Sequence, residues 1–227
     1  MLGTDDPVFA AVVGVAVVAL LLAPVTGRAL AQVVTLVHEL GHATVGLLVG
    51  GRVRRVSIAL DASGETLTLI GGRYPRLRLS AFTLAGYPAP PLVGVVAAAS
   101  VASEDHRLFL LLGAVFVAVA LVLWVRNPWG LVVFAVTAVV LWLAATEAAD
   151  AVTRTVAIAL AWLFAVGGLR SAWQLTHGPR SATSGLDDAE RVSQLSRVVP
   201  RLVVAGAFVL VAGAALAGVA LLLLRPS

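Results

Sequence analysis

The chain has 227 residues, 60% hydrophobic and only 12% charged, where an average soluble domain carries about a quarter charged residues. With a mean hydropathy of +1.00 it cannot cover itself with polar surface, which excludes an ordinary soluble domain and makes a bilayer its solvent. There is no cysteine, and all 16 basic residues are arginine for a net charge of +4; this excludes disulfides and thiolate metal sites, suits loops facing anionic lipid, and gives no cause to expect a nucleic-acid partner.

Along the chain, the first 27 residues do not read as a cleavable leader. Their flank is acidic (Asp5, Asp6), the apolar run is long, and no small-residue cleavage site follows. Seven apolar segments, roughly 8–26, 30–50, 80–103, 107–125, 128–147, 151–173 and 201–224, come near the length that crosses about 30 Å of hydrocarbon. The expected fold is an all-α polytopic membrane protein: one integral membrane domain over 1–227, with six or seven transmembrane helices. "TGR" at 26–28 divides the first two segments, and "EAAD" at 147–150 joins the fifth and sixth as a tight helical hairpin.

Two loops are long, 51–79 and 174–200. In the first, "RVRRVSIAL" and "ETLTLIG" flank "DASG"; β-branched arms around turn chemistry predict a β-hairpin. Such a hairpin either lies on the membrane or offers an edge to an extended peptide, with Val56, Ile58, Leu67 and Leu69 as contact residues. With seven spans both loops share a side with the N-terminus and the 126–127 turn, and that side holds 12 of the 16 arginines. The positive-inside rule makes it cytoplasmic and places the C-terminus outside.

Within the second segment stands "LVHELGHATVGLLVGG", residues 36–51. His38 and His42 are four apart, so a helix puts them on one face a turn from each other, with Glu39 beside the first. Two imidazoles at this spacing can hold one zinc ion, and the glutamate can take a proton from water. A lone membrane histidine is usually an interhelical hydrogen-bonding group. Three ionisable groups within five residues, each costing about 2 kcal/mol or more at mid-membrane, call for a partner such as a metal. Gly46 and Gly50 continue the i+4 row and let another helix approach closely.

"HELGHATVGLLVGGRVRRVSI", "SGETLTL", "LAGYPAPPLVG", "RNPWG" and "DDAERVSQLSRVVP", spread over 36–200, resemble the site-2 protease family of intramembrane zinc metallopeptidases, in its compact bacterial peptidase-like branch. The resemblance implies zinc as cofactor, Glu39 as catalytic base, a membrane-anchored protein substrate and a bacterial plasma membrane. The wider family takes its third ligand from an N-x-x-P-x-x-D-G motif, which is absent here: "GYPAPPLVG" has no aspartate, and Asn127-Pro128 is followed by Trp and Gly.

A hydrolytic zinc needs three protein ligands. The candidates are Asp61, Glu104, Asp105, His106, Glu147, Asp150, His177, Asp187 and Asp188. From 188 to 199 the chain reads as a short amphipathic helix. Asp188 lies on the face of Val192, Leu195 and Val199, whereas Asp187 begins D-x-x-E with Glu190, an N-cap pattern. Asp188 therefore ranks first and His177 second; the branch's "SDA" signature, matched here by "DA", points to Asp188 as well. Tyr87, with Pro88, Pro90 and Pro91, breaks the third segment, either as a kink or as part of a cavity wall. The tryptophans near span ends read as interface anchors, and no G-x-S-x-G nucleophile motif is present. The rival readings are a metal-binding membrane scaffold or chaperone without turnover, and a transporter, which would show paired broken helices.

Overall fold

The computed structural model describes residues 3–177 and 187–225. The described elements are helices α1 (Pro7–Leu22) and α2 (Pro24–Leu48), strands β1 (Arg52–Ile58) and β2 (Gly64–Leu69), and helices α3 (Pro75–Leu84), α4 (Ala89–Ala102), α5 (His106–Trp124), α6 (Pro128–Thr146), α7 (Asp150–His177), α8 (Asp188–Ser196) and α9 (Arg201–Leu223). The protein is a polytopic helical bundle with one antiparallel hairpin. Four helices, α5, α6, α7 and α9, are individually long and apolar enough to cross a membrane; α1 with α2 and α3 with α4 are bent pairs, so the spans number at most six.

The seventh span is lost at the first pair. The chain turns by 104° between α1 and α2, and it breaks at Ala23, not at "TGR". Ala23 precedes Pro24, and a residue before proline is pushed out of the helical region; it sits at φ −72°, ψ 138°. Pro24 then opens α2, where its missing N–H is no loss. The first two "TGR" residues pin the corner instead: the Thr26 hydroxyl donates to the Leu20 carbonyl at 2.7 Å, and Gly27 packs so closely on the Leu21 carbonyl that a Cβ would overlap it.

This changes which end the N-terminus occupies. Arg154, near the start of α7, reaches Asp5 at 3.1 Å and Glu104 at 2.7 Å. Arg170, near the end of α7, donates to the Leu21 carbonyl at 2.6 Å. So α1 runs alongside α7 in the same direction, and the N-terminus lies at the far end of α7 from the segment that follows His177. Helix α7 is about 42 Å long at 1.5 Å per residue. The end of α9 packs there too, with Val219 and Leu223 in one core with Ala10, Ala98 and Val101. Both termini are thus opposite the two long loops, which corrects the expected sharing of a side by the N-terminus and those loops.

Small residues hold the bundle together. Helices α1, α4, α7 and α9 meet through Ala10, Ala97, Ala98, Ala157, Ala161 and Ala165, which permit the close backbone approach that packing in lipid relies on. The α5–α6 hairpin closes a second core of Leu36, Leu40, Val56, Ile58, Val117 and Phe134. As expected, the "EAAD" break joins α6 to α7 in a three-residue turn.

The hairpin lies along α2. Gln32 Nε2 donates to the Ala59 and Leu60 carbonyls at 3.2 Å, and the Thr35 hydroxyl to the Ala62 carbonyl at 2.8 Å. Its turn is the expected "DASG": Asp61 Oδ1 accepts from the Ser63 N–H at 3.0 Å and hydroxyl at 2.7 Å. These bonds hold the Asp61 carboxyl below the usual carboxylate range. The outer edge of β1 is taken. Val56 bridges Val125, and the Asn127 side-chain amide donates to the Ile58 carbonyl at 2.6 Å while its oxygen faces the Ile58 N–H at 3.3 Å.

Candidate metal centre

Helix α2 presents His38 and His42 inward one turn apart. The ring nitrogens His38 Nε2 and His42 Nε2 are 3.1 Å apart. From 146 residues further along the chain, the first residue of α8 brings Asp188 Oδ2 to 3.0 Å from His42 Nε2 and 3.3 Å from His38 Nε2. One ligand atom from each of the three lies within 4.8 Å of the others.

The chemistry of these atoms fits a cation. His42 Nδ1 is 2.8 Å from the Phe82 carbonyl, which can only accept. Nδ1 therefore carries the proton and Nε2 turns its lone pair to the cluster, the arrangement a metal-ligating histidine takes. His42 Nε2 and Asp188 Oδ2 are then two acceptors 3.0 Å apart, and a proton or a cation between them resolves the contact. Burial alone would raise the Asp188 carboxyl, but when the imidazoles hold that proton their hydrogen bonds and charge outweigh it and keep the carboxyl well below the usual range. The third element at the site is the α3–α4 break. A Cβ built on Gly86 would overlap Nε2 of both histidines, so glycine alone leaves the space in front of the two nitrogens open. A donor set of two imidazoles and one carboxylate is that of a hydrolytic zinc.

Glu39 is 3% exposed. The Thr66 hydroxyl of β2 donates to its Oε2 at 2.6 Å, and Gly64 lies flat against the carboxylate, where a Cβ would overlap it. Tyr87 stands edge-on to His38 with ring centroids 4.7 Å apart and stacks on Phe208. A cavity of about 640 Å3 opens over the cluster, walled by α2, residues 62–66, Tyr87 of the break, Pro90 of α4, α7 and α8.

Asp188 is aimed by its neighbour. Asp187 caps α8, accepting from the Glu190 N–H at 2.8 Å, and its other oxygen receives both Nε and Nη2 of Arg201 at 2.9 and 2.6 Å. The start of α8 is thus tied to the start of α9, and Asp187 has the cap role its spacing suggested.

The other carboxylates and histidines are elsewhere. His177 stacks on Trp173 at the end of α7, outside the cluster. His106 faces Asp150 at 3.2 Å at the far end of the molecule, where Glu104 pairs with Arg154. Of the expected substrate contacts, Tyr87 lines the cavity. Val56 and Ile58 are 0% and 1% exposed, in the core beside Leu36 and Phe134 and outside the cavity wall. Leu67 and Leu69 point outward and are not in the cavity wall. The residues that do line it from the hairpin are Ala62 to Thr66. Thr66, Gly64, Gly86 and Arg201 were not singled out from the sequence; the one available signal was glycine in "SGE" and "AGY", which marks close approach only once the partner is known.

A bent, polytopic bundle that gathers two imidazoles, a carboxylate and a glutamate against one cavity defines a class, the membrane metalloprotein with a hydrolase-type donor set. The Peptidase M50B-like family model matches residues 11–219, and the chain belongs to this site-2 protease family of zinc metalloproteases. Comparison with curated proteins and with solved structures finds no match.

Proposed function

We propose that the protein is an intramembrane zinc peptidase in which His38, His42 and Asp188 hold the metal and Glu39 moves the proton, acting on a peptide bond in or near a membrane-spanning segment of a protein substrate. The observation that carries this reading is the meeting of Asp188 Oδ2 with both Nε2 atoms from an element remote in sequence. It supplies the third donor that the missing N-x-x-P-x-x-D-G motif leaves open.

Zinc, when bound, supplies Lewis acidity that polarises the scissile carbonyl and acidifies water. Glu39 accepts the proton of the attacking water and returns it to the leaving amine nitrogen. Thr66 holds one carboxylate oxygen by donating to Oε2, which fixes the side chain's rotamer for that transfer. A helical substrate shields its peptide bonds with its own hydrogen bonds, so it must be extended to react. The edge of β1 is occupied by Val125 and Asn127. The extended peptide therefore runs along β2, whose residues 64–66 lie in the cavity wall beside Glu39.

The test is zinc content of the detergent-purified protein. Wild type is expected to hold about one zinc. Asp188→Ala loses it, while Glu39→Gln and His177→Ala keep it. Full zinc in Asp188→Ala overturns the ligand assignment, and no zinc in wild type overturns the enzyme reading.

A further inference from the structure

Beside the metal-type cavity, between α3 and α8, lies a second, solvent-open cavity of about 470 Å3 that Leu79 and Leu195 line as well as polar side chains. Arg76 of α3, Arg191 of α8 and Arg197 at the end of α8 line it together with Gln194. Arg55, Arg107, Arg154 and Arg201 each reach a carboxylate. Arg76, Arg191 and Arg197 reach none among the described residues, and the stretch 178–186, "GPRSATSGL", contains no Asp or Glu.

Three exposed guanidinium groups lining one space concentrate positive charge that an anion offsets, and the forked donors of arginine match the paired oxygens of a phosphate. The surroundings select the kind of phosphate. Leu77 follows Arg76 and is 71% exposed; Val198 follows Arg197 and is 84% exposed; Leu79 and Leu202 are exposed nearby. The cavity also lies at the end of the bundle where α7 finishes and α9 begins, which for a polytopic protein is the membrane boundary. A free phosphate has no use for that apolar border, but an amphiphile uses both parts. We propose that this cavity binds the phosphate of an anionic phospholipid, with the acyl chains against the exposed side chains of α3 and α9. The site does not depend on the peptidase reading. Arg191 borders both cavities, so the headgroup sits against the helix that carries Asp188.

The experiment uses the full chain in nanodiscs of phosphatidylcholine with a minor share of phosphatidylglycerol, followed by detergent extraction and native mass spectrometry of the retained lipid. Wild type is expected to retain phosphatidylglycerol and not phosphatidylcholine. Arg76→Gln with Arg197→Gln lowers that retention about tenfold or more. Arg52→Gln with Arg54→Gln removes the same charge from the exposed hairpin and leaves retention unchanged. Equal retention by the Arg76/Arg197 variant, or equal loss by the hairpin variant, overturns the site. The lysine pair Arg76→Lys with Arg197→Lys keeps the charge; it should retain more lipid than the glutamine pair and less than wild type, retention no better than the glutamine pair overturns the charge-based site, and retention equal to wild type overturns forked phosphate recognition. Displacement of the lipid by millimolar inorganic phosphate assigns the cavity to a free anion and overturns the lipid assignment.

Discussion

The Glu39 carboxylate meets the hairpin at two points, the Thr66 hydroxyl and the bare face of Gly64. Among the described residues Thr66 is the one side-chain donor to this buried carboxylate, which therefore depends on it for orientation. Thr66→Val keeps the shape of the side chain and removes the hydroxyl. Turnover of a membrane-segment reporter is expected to fall about 10- to 100-fold with KM and zinc content near wild type, and Thr66→Ser should restore it. Loss of zinc in Thr66→Val, or no rescue by serine, would refute a positioning role. Gly86→Ala makes a complementary change, because its methyl enters the space before both Nε2 atoms; zinc affinity should fall about tenfold or more while Gly71→Ala, in open space, has no such effect. These two residues also show what was legible at this scale. His38, Glu39 and His42 could be read because one helix sets their spacing. Thr66 and Gly86 could not, because their roles arise where β2 and the α3–α4 break come up against α2, and no local pattern records a contact between remote elements.

Helix α8 is short, and an isolated helix of its length is marginal in water. It is held by the Asp187 cap, by Arg201, and by Ala189 and Val192 in the core with Leu175 and Phe208. Asp187→Ala removes the cap, at a cost of about 1 kcal/mol, and frees Arg201. Although Asp187 is no ligand, zinc affinity in this variant is expected to fall about tenfold, with Asp187→Asn losing less because an amide oxygen can still cap. An unchanged zinc titration for Asp187→Ala would show that α8 is placed by its core contacts alone. The cap and the inward face of Asp188 were legible because both follow helical periodicity over a few residues. The break between α1 and α2 was misplaced for a reason of the same kind. A window of apolar residues measures length and not direction, and "TGR" looks more polar than "LAPV", yet it is Pro24 acting on Ala23 that turns the chain.

At the scale of the whole molecule, the 104° turn decides the topology. With α2 turned back from α1 instead of adding a span, the chain crosses an even number of times and both termini share an end. Arg154 ties Asp5 and Glu104 together at that end, and the hairpin, α3 and α8 gather at the other. Among the described arginines only Arg107, Arg154 and Arg225 remain with the termini, since the corner carries Arg28 to the hairpin end. The charge asymmetry that led to the two long loops being expected in the cytoplasm is therefore sharper than the seven-span reading made it, and by the same rule the N-terminus is now expected outside. The absence of cysteine makes this directly measurable. Single cysteines at Thr4, Leu60, Val198 and Arg225 can be labelled in intact cells with a membrane-impermeant maleimide. Thr4→Cys and Arg225→Cys are expected to label without permeabilisation, and Leu60→Cys and Val198→Cys only after it. If all four positions reverse together, the bundle stands and the positive-inside assignment is wrong. If Thr4→Cys labels with Leu60→Cys and against Arg225→Cys, α2 crosses the membrane as a span of its own, and the corner at Ala23 that aims His38 and His42 toward α8 does not exist.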